Sequence, residues 1–178
     1  MSHLQPDTKQ SYFNEGLAEV LGGESKKELR QANSAAAQID LCIATFGKEC
    51  TRGILQRAGR AGLYYWLQDH AADLGWQQPE FRLLSFRQKI KRGITDLASW
   101  FEHSTSGKFA IDTQTDKLVI QHTSEQSLSQ MDCAFYLGLF QEFLSWSASG
   151  KFFPATELQC PNGGQGAHVF EIALNPLD

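Results

Sequence analysis

Cys133, Cys160 and His168 are the residues of this chain whose types could do chemistry together. Thiolate and imidazole are borderline-soft donors that suit Zn(II), which in structural sites takes four ligands in a tetrahedron. A fourth ligand would come from His122, Glu157 or water. Cys160 and His168 also have the residue types of a nucleophile and its base. Neither is set in a hydrolase signature, and a cysteine that only packs is the commoner case. The four cysteines, at 42, 50, 133 and 160, include no C-x-x-C pair, so neither a zinc ribbon nor a dense disulfide framework is indicated and reduced thiols are expected.

These donors are distant in sequence, so only a folded domain can bring them together. Cys133 opens a segment in which Phe135, Tyr136, Leu139, Phe140, Phe143 and Leu144 recur at helical spacing, and Ser129 or Asp132 can cap its first turn. Two strands follow, at about 153–160 and 167–174, joined by the Gly-rich run 161–166. Upstream, period-two patterning at 109–113 and 118–122 around the turn 114–117 predicts a β-hairpin.

The first half of the chain reads as helices: one from Glu28 to a stop at Gly47, one over about 51–73, and a continuous one over about 81–103. Residues 1–27 read as a polar, loosely held arm in which Phe13, Leu17, Val20 and Leu21 can form one short helix. Residues 28–178 then form a single domain. Helices first, then β-β-α-β-β, is an α+β layout in which N-terminal helices pack on a mainly antiparallel four-stranded sheet. Gly59 and Gly62 each cost the second helix roughly 1 kcal/mol relative to Ala, so their shared face implies close approach by another backbone or a ligand. A homodimer through that face is one expectation.

Composition narrows the function classes. A formal charge of −4 argues against a nucleic-acid surface, which needs a concentrated positive footprint. The basic run Arg82, Arg87, Lys89, Lys91 and Arg92 reads as a solvated helix face. No stretch approaches the ~18 apolar residues of a membrane span, and the start lacks the features of a secretory signal, so a cytoplasmic protein is expected. Tyr64, Tyr65, Trp66, Phe135, Tyr136, Phe140 and Phe143 can wall a pocket for an apolar small molecule between the helices and the sheet, although for any one of them filling the core is the commoner role.

The order and spacing of the C-terminal third resemble the 4-vinyl reductase domain family. In its pattern a Cys precedes an aromatic-Tyr-x-Gly helix, and a later Glu-x-x-Cys is followed at four residues by Gly, at eight by Cys and at ten by Phe. Cys133, Tyr136, Gly138, Glu157, Cys160, Gly164 and Phe170 match, while the eighth position is His168. Residues 55–61 and 64–67 also read like family members, and the likeness spans roughly two thirds of the chain. It implies a fold shared with trafficking-particle subunits and haem nitric-oxide-binding domains, and a hydrophobic ligand such as a lipid, hydrocarbon or tetrapyrrole-like molecule.

Carried over by position, the ligand site involves Cys133, Tyr136, Cys160 and His168. With Phe140, Phe143, Tyr65 and Trp66 these make up the expected ligand-binding set. The metal reading rests on Cys133, Cys160 and His168, because His in place of a family Cys keeps ligand capacity. The three are expected to lie together at one end of the sheet. Haem is disfavoured, since the Tyr-x-Ser-x-Arg motif of the related haem domains is not found. The resemblance also raises an accessory role in vinyl reduction during chlorophyll synthesis, but the chain has no G-x-G-x-x-G loop and no cysteine cluster spaced for an iron–sulfur centre. Binding without catalysis is therefore expected, with a protein-interaction or scaffold module as the rival reading.

Overall fold

Serine, glycine and proline punctuate the helices of this chain. In a computed structural model, which describes residues 8–22, 32, 34–104, 107–124, 132–159 and 166–177, the elements are α1 (Thr8–Leu21), α2 (Ala35–Phe46), α3 (Lys48–His70), α4 (Pro79–Arg82), α5 (Phe86–Ser104), β1 (Gly107–Thr113), β2 (Lys117–Ser124), α6 (Asp132–Ser147), β3 (Ala155–Gln159) and β4 (Ala167–Ala173). Ser34 caps α2 by accepting from the Ala37 amide at 3.2 Å. Gly47, at φ 78°, ends α2 and leads directly into α3.

The continuous helix expected over 81–103 is two helices. Ser85 and Gln88 form a reciprocal capping box: the Ser85 amide donates to Gln88 Oε1 at 3.1 Å and the Gln88 amide to Ser85 Oγ at 3.4 Å. A new helix therefore starts at Phe86, behind the short turn that Pro79 begins. The hydrophobic spacing runs across this break and hides it.

The sheet is antiparallel throughout, in the order β1-β2-β4-β3. It completes the expected α+β architecture. Register pairs Leu118 with Ile172, Ile120 with Phe170 and His122 with His168 across β2 and β4. All six of these side chains are buried, so alternate residues of both strands face the helices.

α3 packs along both α1 and α6. Two glycines permit the second contact: a Cβ on Gly59 would stand 1.9 Å from the Phe135 carbonyl oxygen, and one on Gly138 would stand 1.9 Å from that of Gln56. Gly62 lies against the Phe135 ring and the Tyr12 carbonyl, 3.1 Å from each by the same measure. The two-glycine face is thus covered within the chain, by α6 and α1, and gives no separate reason for a dimer. Within the segment expected to be a loose arm, α1 packs into the core. Tyr12, Phe13 and Leu17 of α1 are buried, and Tyr12 donates to Asp69 at 2.8 Å. Among the described residues no helix is long and apolar enough to cross a membrane.

Candidate functional site

Three elements converge at one end of the sheet. Cys133 lies in the first turn of α6, Glu157 on β3 and His168 at the start of β4. Their ligand atoms, one from each residue, all lie within 4.8 Å of one another. The trio is shielded from solvent: Cys133 is buried, and the side chains of Glu157 and His168 are each 4% exposed. β3 shifts register between Glu157 and Gln159, where β4 passes from Phe170 to Val169. Such an irregularity re-aims side chains beside a site.

Glu157 is held from two sides. Its Oε2 is paired with the Arg52 guanidinium of α3, and its Oε1 lies 3.7 Å from His168 Nδ1. His168 Nδ1 makes no hydrogen bond among the described residues. Across the sheet His168 faces His122, whose ring stacks on Phe109 at 4.4 Å and leans on Tyr136 at 5.0 Å. A thiol, a carboxylate and an imidazole in one buried place form a donor set for a borderline divalent cation. Cys160, the remaining expected ligand, lies outside the described residues, as does the Gly-rich run 161–165.

The expected aromatic wall is divided between core and surface. Trp66, Tyr136, Phe140 and Phe143 are buried, Tyr65 is partly buried and Tyr64 is 61% exposed. Phe143 fills the space beside α5 so closely that a Cβ on Gly93 would stand 2.1 Å from its ring. Phe140 meets Phe109 edge-on at 5.5 Å. The Trp66 indole N–H is buried and has no acceptor among the described residues, in a core otherwise closed by the rings of His70, Trp76 and Trp100. A cavity of about 630 Å³ opens on the outer side of this cluster, between α3, the 71–78 turn, α4 and the end of α6.

Two features escaped the sequence reading. Arg52 lies 105 positions from Glu157, and no local pattern links them. Tyr12, Asp69 and His70 form a small network in which the Tyr12 hydroxyl lies 2.8 Å from Asp69 Oδ2 and 2.9 Å from His70 Nε2. Burial and the Asp69 carboxylate push the Tyr12 phenol far above its ordinary range, and burial lowers the His70 imidazole. The adjacent Asp-His pair carries no distinguishing motif, and its partner comes from the segment expected to be loose.

No family model matches the chain, and no curated protein matches it. Solved structures do. A structure from work on haem distortion in the H-NOX family aligns at TM-score 0.63 and 12% identity, covering 98% of this chain and 97% of its own. An oxygen-binding H-NOX domain related to soluble guanylate cyclases, in its oxygen complex, aligns at TM-score 0.61 and 12% identity, covering 97% and 96%. The Fe(II) unliganded H-NOX protein from K. algicida aligns at TM-score 0.62 and 10% identity, covering 94% of each chain.

The chain therefore has the α+β fold of H-NOX domains. That fold is among those implied by the resemblance to the 4-vinyl reductase family. The expectation that haem is disfavoured is overturned by this finding, since structures that share the fold are haem domains. Absence of one sequence motif does not set haem aside. Residue types that ligate haem iron are present in the core at Cys133, Tyr136, His122 and His168.

Proposed function

We propose that this chain is a binding domain for an apolar small molecule, of the 4-vinyl reductase type, with a divalent metal centre formed by Cys133, Glu157 and His168. The convergence of three donor atoms within 4.8 Å, out of solvent, carries the reading. Zn–S and Zn–N bonds of about 2.3 and 2.0 Å require only a small contraction of such a trio around the ion. Cys160, which follows Gln159 at the end of β3, is the fourth donor of the proposal. Arg52 on Glu157 supplies the outer contact that orients a ligating carboxylate. The metal has a structural role: it ties the start of α6 to β3 and β4.

The ligand part is supported by the buried Trp66 N–H. A buried donor without an acceptor calls for a partner, and a polar atom on an otherwise apolar guest would supply one. Lipids, hydrocarbons and tetrapyrroles, haem included, are the candidate classes. Native mass spectrometry and elemental analysis of protein purified from its own cells test both parts together. The expected result is about one divalent metal per chain, with an apolar molecule bound. Metal-free protein that takes up neither Zn(II) nor haemin, the latter read from the Soret band, would overturn the proposal.

A further inference from the structure

Tyr64 on α3 and Trp146 on α6 are 61% and 41% exposed, a large aromatic area to leave in water. Both line the 630 Å³ cavity that opens between the end of α3, the 71–78 turn, α4 and the end of α6. Trp76 lines it as well, and the rings of Trp76 and Trp146 pack with the buried ring of Phe81. Trp76 lies 5.4 Å from Phe81 at 13° and 5.8 Å from Trp146 at 30°, and Phe81 lies 6.2 Å from Trp146 at 27°. The Trp76 indole N–H donates to Asp96 at 3.0 Å, which fixes the plane of that ring before any guest arrives.

The charge in the cleft is one-sided. Among its described lining residues Arg82 alone is ionised, beside the neutral amides of Gln68 and Gln77. Arg52, Arg60 and Arg92 each pair with a carboxylate, whereas Arg82 has no such partner among the described residues. A guanidinium at the mouth of an aromatic slot matches a carboxylate bidentately.

We infer that this cleft is a docking site for a flat aromatic anion: an arene carboxylate, or a larger ring system bearing one. The ring lies along Trp146 and Tyr64, and the carboxylate meets Arg82. This inference rests on the reading of the chain as a small-molecule-binding domain and gives that function a surface entry, separate from the metal trio.

Calorimetric titration of the full chain with 2-naphthoate, and with neutral 2-naphthylmethanol as control, tests it. Saturable naphthoate binding is expected, weakened about tenfold or more in Trp146→Ala by loss of the stacked ring. In Arg82→Gln the preference for naphthoate over the alcohol should vanish, while the alcohol binds as before. No saturable naphthoate binding at millimolar concentration, or binding unchanged in both variants, overturns the inference. So does sedimentation showing a wild-type dimer that Trp146→Ala dissociates, since a second copy would then be the occupant. Failure here with metal and an apolar molecule still recovered from the purified protein rejects the cleft alone. Failure of both rejects the binding-domain reading itself.

Discussion

Gly59 of α3 and Phe135 of α6 approach so closely that a methyl group on the glycine would stand 1.9 Å from the Phe135 carbonyl oxygen. The obstacle is backbone, so it cannot swing aside. Gly59→Ala is expected to destabilise the fold by about 3 kcal/mol, the upper end of ordinary overpacking. Urea unfolding gives the value. A loss below about 0.5 kcal/mol, the range of a neutral surface change, would contradict the contact.

The core and the surface should answer differently to aromatic truncation. Phe143 is buried against Gly93, so Phe143→Ala is expected to cost about 3–5 kcal/mol. Trp146, at 41% exposure, should cost about 1 kcal/mol or less. Comparable losses in the two variants would mean that the middle of α5 and the end of α6 are packed otherwise than described.

How much of this was legible in the sequence depends on how local each signal was. The β1–β2 hairpin and the aromatic helix α6 follow from short-range periodicity, and their expected spans lie within a few residues of the observed ones. The break at Ser85 is hidden by an apolar stripe that continues across it, although Ser85 and Gln88 carry a capping-box pattern in plain view. α1 gives a weak sequence signal because its buried side chains are few. Its close fit needs Gly16, whose Cβ would stand 2.1 Å from the Ala58 carbonyl oxygen, and only the tertiary contact reveals why that glycine is there. At the site, residue type and family pattern point to Cys133 and His168. Arg52 on Glu157 is a pairing across 105 positions that periodicity cannot signal.

Ser85→Ala removes the side-chain half of the α5 capping box and should lower stability by about 1 kcal/mol. Ser85→Asp should restore most of it, because a carboxylate also accepts from the free amides of the first turn. Chemical denaturation of the two variants checks this; equal losses would count against capping.

Acid should weaken the attachment of α1 to α3. Burial holds the His70 imidazole below its ordinary 6.5, against the opposing pull of Asp69 and Asp73. The unfolded chain therefore takes up the proton first as pH falls. The contribution is fully present above about 6.5 and is lost as pH drops from there toward the lowered folded value. In His70→Phe the decline in Tm between about pH 7 and pH 5 should be smaller than in the wild type, and an identical decline would remove His70 from the account.

Co(II) absorption tests the metal centre most directly, because a thiolate bound to the ion gives a near-ultraviolet charge-transfer band and the visible bands report coordination number. The wild type is expected to bind about one Co(II) per chain with a tetrahedral spectrum. Zn(II) should displace the Co(II), and binding should weaken as pH falls, since the thiol must release its proton. Cys133→Ala should abolish the charge-transfer component contributed by that sulfur, and His168→Ala should weaken affinity. A wild-type spectrum without thiolate-to-cobalt intensity, or one unchanged by both substitutions, would contradict a metal centre at Cys133, Glu157 and His168.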